Sequence, residues 1–172
     1  MKDLSMTTPT STTGATAAAT DKVDTPKQMS PAQIESARKE LGKLPLLGPV
    51  MWLYARDPLR RFTFVSDMDW RLLPPLVLDQ CKLYQRQEVP WAYFSWAMVS
   101  PAVDARLRSA VPVIAPHEWR CGDIPWLIDV VTPFGEAQAL TQEVCTQFAK
   151  GKKVSGWIAG VDGQAKLHEF EG

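Results

Sequence analysis

A nearly continuous apolar run of strand length, bounded by Pro125 and Pro133, limits the fold of this chain more than any other segment. Such runs are typical of a strand that is covered on both faces. Asp129 lies inside the run, where an unpaired, ionised carboxylate costs several kcal/mol. Alternation along a strand predicts that Asp129 shares a face with Leu127 and Val131. Asp129 is therefore either a structural carboxylate, paired with an arginine or capping a loop, or a catalytic or orienting one.

The order of the predicted elements is typical of an α+β domain in which helices pack on a sheet. Ser30, followed by Pro31 and Gln33, begins a helix that Gly42 is expected to end. Three further elements follow: a helix over 48–56, a helix that begins at 66–69 and is interrupted by Pro74 and Pro75, and then a strand within 76–87. A turn over 88–90 connects that strand to a second one over 91–97, which is followed by a helix over 100–108 and the strand of the apolar run. The chain is then predicted to form a helix over 137–149 and a closing hairpin, with strands 153–159 and 164–170 around a turn at 161–163.

Composition separates a tail from a folded domain and argues against several classes of function. Residues 1–28, rich in Thr, Ser and Ala, predict a disordered N-terminal tail, and residues 29–172 predict one domain. The formal net charge is zero, which gives no bulk reason to propose nucleic acid as a partner. No apolar run approaches the ~20 residues of a membrane span, and the N-terminus lacks the apolar segment of a secretory signal.

The cysteines and histidines give no metal or disulfide signal. Cys81, Cys121 and Cys145 are odd in number and widely spaced, which indicates reduced thiols in a cytoplasmic protein. His117 and His168 lack metal-ligand spacing, so we expect no metal site. By default both histidines lie on the surface, and each stays a candidate acid or base because histidine titrates near neutral pH.

Arg60 and Arg61 follow the predicted apolar helix over 48–56. They are either surface basic residues that follow the helix or an anion-binding site that recognises a phosphate or carboxylate. Ser95, between Phe94 and Trp96, has no base near it in sequence, so a strand serine is favoured over a nucleophile.

Several ordered blocks resemble the lysine acyltransferases that activate RTX toxins. Residues 47–55, followed by Pro58-Leu59-Arg60-Arg61, are similar to the opening helix and loop of that family. Residues 89–97 resemble its P-V-A-Y-C-S-W-A strand. Residues 122–135 resemble its G-D-x-x-W-x-I-D-x-x-A-P-F-G block, and residues 168–172 resemble a later E-F-x-G element. The resemblance covers about residues 46–172.

This resemblance implies a fold related to the GNAT acetyltransferases, with a mostly antiparallel central sheet. It implies transfer of a fatty acyl chain from acyl carrier protein to internal lysines of an RTX-type protoxin in the cytoplasm, with no bound cofactor and a homodimer as a possible assembly. Two residues are central in the family, a histidine after the first helix and the aspartate of the I-D block. Asp129 stands at the second position, and Arg60 stands at the first. The candidate substrate-binding residues are Arg61, Tyr93, Ser95, Trp96 and Trp126.

Arginine at position 60 changes the chemistry that the resemblance implies. Histidine can accept the proton of an attacking lysine, whereas arginine stays protonated and cannot be a general base. If Arg60 faces Asp129, we expect an ion pair that keeps Asp129 ionised while Arg60 orients the thioester or steadies an oxyanion. The base is then Asp129 itself, His117, His168 or water.

Two other hypotheses stay open from the sequence. In the first, catalysis is lost and the protein binds acyl carrier protein or a toxin-like partner. In the second, the chain is a GNAT-like enzyme that uses acyl-CoA, although it lacks the glycine-rich pyrophosphate turn of that group. An acidic carrier protein requires a basic docking patch. The candidates for that patch are Arg56, Arg60, Arg61, Arg71 and Lys82.

Overall fold

A five-stranded sheet with strand order β1-β2-β3-β4-β5 forms the centre of the domain. The computed structural model describes residues 29–109, 113–159 and 164–172, so the predicted tail over 1–28 and the turn over 161–163 lie outside the described residues. The strands are β1 (Cys81–Arg86), β2 (Val89–Val99), β3 (Ile124–Val131), β4 (Lys153–Ala159) and β5 (Ala165–Glu171). Neighbouring strands are antiparallel except β3 and β4, which pair in parallel. The predicted α+β class is confirmed, with a mixed sheet.

The helices are α1 (Pro31–Tyr54), α2 (Leu73–Val77), α3 (Pro101–Ser109) and α4 (Ala137–Ala149). The bounds of α4 are those predicted from the sequence, and α3 and the central strand also lie where they were predicted. Because α4 connects the parallel strands β3 and β4, it crosses over one face of the sheet and packs there. The opposite face carries α1, whose buried residues Val50, Leu53 and Tyr54 pack with Tyr93 of β2.

Helix α1 is one continuous helix rather than the two that the sequence predicted. Its start is as expected, because Ser30 Oγ accepts from the Gln33 N–H and the Gln33 side chain accepts from the Ser30 N–H. Gly42 does not end it, and Pro45 and Pro49 lie inside it. Gly42 is not among the residues with positive φ, so it does not make the left-handed turn by which a glycine ends a helix.

Pro74 and Pro75 do not interrupt the helical segment after position 65, contrary to the prediction. A 3₁₀ turn (Val65–Asp67), a π-helical turn (Met68–Leu72) and α2 follow one another directly. The prolines lie in the first turn of α2, where their missing N–H groups are least costly. The Asp67 carboxylate accepts from the Phe64 N–H at 3.0 Å and from Trp70 Nε1 at 3.1 Å, which holds the start of this segment in place.

The end of β2 fits closely against the loop that precedes β3. The N–H groups of Cys121 and Gly122 both donate to the Met98 carbonyl, at 2.9 and 3.0 Å. A Cβ added at Gly122 would collide with the Val99 carbonyl oxygen and lie 2.6 Å from the Ser100 nitrogen. Gly122 therefore allows this close approach of two backbone segments.

Gly122→Ala is expected to lower the free energy of unfolding by about 1–3 kcal/mol, because the backbone of either segment must move. Urea denaturation followed by tryptophan fluorescence measures the change. Gly42→Ala is the matched control: nothing lies within 4 Å of its added Cβ, and alanine favours a helix interior by about 0.5–1 kcal/mol. A Gly122→Ala protein as stable as the Gly42→Ala protein would contradict this close approach.

Candidate active site

The carboxylate of Asp129 on β3 is completely buried, and among the described residues three side chains donate to it or pair with it. The Tyr54 hydroxyl donates to Oδ2 at 2.8 Å. Arg71 donates from Nε to Oδ1 and Oδ2 at 3.2 and 3.1 Å, and from Nη2 to Oδ1 at 2.5 Å. Arg60 places Nη2 3.0 Å from Oδ1. The ion pair between Arg60 and Asp129, which the sequence predicted for a facing pair, is present.

A β-bulge turns Asp129 toward these partners. The register of β2 against β3 passes from the pair Ser95–Asp129 to the pair Trp96–Leu127, so Ile128 is the extra residue. Leu127 packs with residues of α4, whereas Asp129 contacts Tyr54 of α1 on the other face. The expectation that Asp129 and Leu127 share a face is therefore wrong, because the bulge breaks the alternation between them.

Each partner of Asp129 is held by a different local structure. Tyr54 is the last residue of α1 and is buried. Arg60 begins a short 3₁₀ turn, and its N–H donates to Asp57 Oδ1 at 3.0 Å. Arg71 lies in the π-helical turn before α2. The carboxylate thus ties the end of α1, the following loop and the helical segment over 65–77 to the centre of the sheet.

Electrostatics keep Asp129 ionised. Burial acts to raise the pKa of Asp129, but the charges of Arg71 and Arg60 and the hydrogen bonds from Arg71 and Tyr54 outweigh it and lower that pKa. Burial and the negative charge of Asp129 raise the pKa of Tyr54 well above its ordinary value, so its hydroxyl stays a proton donor in the hydrogen bond. A carboxylate of low pKa with both oxygens bound is a poor proton acceptor, which argues against Asp129 as the general base.

A row of polar side chains crosses the sheet beside the ion pair. Cys81, Ser95 and Asp129 are successive register partners on β1, β2 and β3. Ser95 Oγ and the Tyr93 hydroxyl are buried and have no hydrogen-bond partner among the described residues. Burial raises the pKa of the Cys81 thiol to about 11, which makes it a weak nucleophile at neutral pH. This row of polar side chains therefore supplies no evident general base.

Comparison with known proteins decides the family. A profile of the RTX toxin acyltransferase family matches residues 39–171. The chain belongs to the RTX toxin acyltransferase family. A leukotoxin-activating lysine-acyltransferase of Pasteurella haemolytica-like sp. (strain 5943B) is 34% identical over 127 residues, which are 74% of this chain and 77% of that protein. A protein-lysine myristoyltransferase of Escherichia coli is 35% identical over 129 residues, 75% of this chain and 74% of that protein.

The two histidines of this family member are not among the residues that contact Asp129. His117 is exposed in the 3₁₀ turn Pro116–Glu118. His168 is exposed on β5 and stacks on the Phe170 ring at a centroid distance of 6.2 Å. Among the residues that the structure describes, no group of three or more His, Cys, Asp or Glu is arranged to hold a metal ion, and no helix is long and apolar enough to cross a bilayer.

The candidate substrate-binding residues lie in different surroundings. Tyr93 and Ser95 lie on the strand beside β3, buried next to the ion pair. Trp96 stacks on Phe148 of α4 at 4.8 Å. The completely buried Trp126 donates from Nε1 to Asp104 at 2.8 Å.

The candidate docking residues are likewise divided. Arg71 and Arg60, whose side chains are 13% and 24% exposed, are engaged with Asp129. Lys82 pairs with Glu143. Arg56 and Arg61 are exposed, with their guanidinium groups over Trp52 and Phe62. Of these five candidates, only Arg56 and Arg61 are exposed and have no carboxylate partner in the ion pairs of the described residues.

Sequence reasoning did not find the roles of Arg71 and Tyr54. The buried carboxylate predicted an arginine partner, but nothing in the sequence distinguished Arg71, 58 positions from Asp129, among the arginines. Tyr54 gave no signal beyond its place in an apolar helix.

Proposed function

We propose that this chain transfers a fatty acyl group from acyl carrier protein to lysine ε-amines of an RTX-type protoxin. Membership of the RTX toxin acyltransferase family supports the reaction class, and the relatives are named as protein-lysine acyltransferases. The observation that carries the assignment of the site is the pair of Arg60 with the buried Asp129. These two residues stand at the positions where the family resemblance has its central histidine and aspartate.

Arg60 acts in this proposal as a fixed hydrogen-bond donor. Its Nη2 faces Asp129, while the side chain is 24% exposed, so other N–H groups of the guanidinium can meet a substrate oxygen. Arg71 and Tyr54 occupy much of the carboxylate, which leaves Arg60 a single close contact to it. A donor that is already held in place stabilises a developing oxyanion without reorganisation.

The reaction needs no base from the protein. A neutral lysine amine attacks the thioester carbonyl, the carbon–nitrogen bond forms, and the carbonyl electron pair moves to the oxygen beside Arg60. The tetrahedral intermediate then collapses, the carbon–sulfur bond breaks, and the leaving thiolate takes the proton from nitrogen. The products are an amide and the free thiol of the carrier. In this scheme Asp129 positions Arg60. Because Arg60 and Arg71 share this one carboxylate, a net positive charge remains to stabilise the oxyanion.

The proposal also includes a fold related to the GNAT acetyltransferases and a docking surface for acyl carrier protein. We infer a GNAT-like architecture, which the mixed sheet and the helix crossing between parallel β3 and β4 support. The carrier protein is the donor, and its acidic surface would meet Arg56 and Arg61, which are exposed.

Purified protein, acyl carrier protein charged with a fatty acid, and an RTX protoxin test this function. Intact-mass spectrometry of the protoxin should show a fatty-acyl increment that depends on this chain. Absence of the increment, with binding of the carrier retained, would favour a second candidate: a family member that binds the carrier or the toxin without turnover. That candidate rests on Arg60 and on the absence of both histidines from the contacts of Asp129.

The rate of single-turnover acyl transfer should rise with pH, without a plateau, between pH 6 and about 9. In the absence of a histidine base, the rate follows the neutral fraction of the acceptor lysine, which grows about tenfold per pH unit below a pKa of about 10.4. The measurement is the initial rate of the mass increment, with the spontaneous aminolysis of the same thioester as control. A plateau above pH 7 that His117→Gln or His168→Gln removes would identify that histidine as the base.

A further inference from the structure

The loop after α1 exposes large apolar side chains to an unusual extent. Within residues 59–65, named here the apolar loop, Leu59 is 46% exposed and Phe62 is 70% exposed. Phe64 and Val65 are 73% and 78% exposed. Contiguous exposed apolar residues on a soluble domain generally mark an interaction surface. Arg60, between Leu59 and Phe62, fixes the base of this loop to the centre of the domain through Asp129.

The exposed charges within this loop and just before it are cationic. Arg56 and Arg61 are exposed, and Arg61 lies over the Phe62 ring at 5.2 Å. The carboxylates of Asp57 and Asp67, on either side of the loop, are turned onto it, whereas Asp69 farther along the chain is exposed. Asp57 Oδ1 accepts from the N–H groups of Leu59 and Arg60, and Asp67 accepts from the Phe64 N–H. Protruding apolar side chains and arginines thus share one surface.

We propose that the apolar loop inserts into the surface of an anionic lipid bilayer. Aromatic and aliphatic side chains combined with basic residues are the chemistry that binds the interface of such a membrane. The protruding side chains favour lipid over a protein partner, because acyl chains accommodate them without a matching groove. Insertion would bring the side of Arg60 that faces away from Asp129 close to the lipid surface. This inference concerns binding alone and does not depend on the proposed transferase activity.

Sedimentation with sucrose-loaded vesicles tests the proposal on the full chain. Vesicles of phosphatidylglycerol and phosphatidylcholine should bind the protein at low salt, and binding should weaken as salt rises. Vesicles of phosphatidylcholine alone should bind it at least about fivefold more weakly, since each basic residue near an anionic surface contributes about that factor.

Variants assign the binding to the loop. Phe62→Gln with Phe64→Gln should reduce the partition coefficient at least about tenfold on anionic vesicles. The matched control, Leu41→Gln with Val113→Gln, removes two apolar residues that are each 60% exposed elsewhere, and it should bind like the native protein. Arg61→Gln should weaken binding to anionic vesicles only, whereas Arg38→Gln, also an exposed arginine, should not. Thermal unfolding confirms that each variant is folded.

Three results would overturn the proposal. The first is no sedimentation with anionic vesicles at low salt. The second is an equal loss of binding in the loop variant and its matched control. The third is a concentration-dependent dimer that the loop variant disrupts while vesicle binding persists, because the loop would then contact a second copy of the chain.

Discussion

Replacement of Asp129 by alanine is expected to lower the free energy of unfolding by about 3–5 kcal/mol. The substitution leaves the guanidinium groups of Arg71 and Arg60, which are 13% and 24% exposed, without their shared counter-ion. It also leaves the buried Tyr54 hydroxyl without its acceptor. Urea denaturation measures the loss, which should be among the largest from any single substitution in this chain.

The exposed Asp123 supplies the matched control, because Asp123→Ala should change the free energy of unfolding by less than about 0.5 kcal/mol. A double variant sharpens the test. Asp129→Leu combined with Arg71→Met removes both members of the most buried pair, so it should be less destabilised than the sum of the single variants. Strict additivity, or a loss below about 1 kcal/mol for Asp129→Ala, would contradict the ion-pair network.

The same network predicts that the free energy of unfolding of the native protein falls at acidic pH. Because the folded-state pKa of Asp129 is lowered, its stabilising contribution is complete above the unfolded pKa of about 3.9. That contribution is lost as the pH falls through the folded value, when the carboxylate protonates. Asp129→Asn cannot titrate, so the difference in unfolding free energy between native and variant proteins should shrink below about pH 4.

The secondary structure of the centre of the domain was largely predictable. The apolar run predicts β3, and the capping residue Ser30 predicts the start of α1, because both signals are local. The end of α1 was mispredicted at Gly42, since a glycine ends a helix only when the chain turns into a left-handed conformation there. Pro74 and Pro75 misled for a related reason: at the start of a helix, proline is compatible with helical geometry.

The site was only half predictable, because its other half depends on long-range geometry. The sequence predicted a partner for Asp129, and the family resemblance pointed to Arg60. The bulge at Ile128 and the π-helical turn that carries Arg71 leave no clear mark in the sequence, yet together they bring Arg71 onto the carboxylate. The contact joins positions 58 residues apart, which no local pattern encodes.

Replacement of Arg60 by methionine is expected to reduce the rate of acyl transfer about 10²- to 10³-fold, the usual effect of removing one oxyanion donor. Asp129 keeps Arg71 and Tyr54 as partners, so the fold should survive, which urea denaturation can verify. Arg60→Lys should retain part of the rate, because it keeps the charge but not the planar set of donors. The control Arg38→Met removes an exposed arginine of α1 that is not among the partners of Asp129, and it should leave the rate nearly unchanged.

Arg60→His decides between a revised active site and a protein that has lost catalysis. In the first case the native protein transfers acyl groups, and the variant is slower because an imidazole offers fewer donors to an oxyanion. In the second case the native protein binds acyl carrier protein without a mass increment on the protoxin. Transfer gained by the variant would then mean that only the missing base had prevented catalysis. Transfer missing from both proteins would assign the chain a binding role. Arg71 and Tyr54 would still hold Asp129 in the variant, so the missing transfer could not be attributed to a misplaced Asp129.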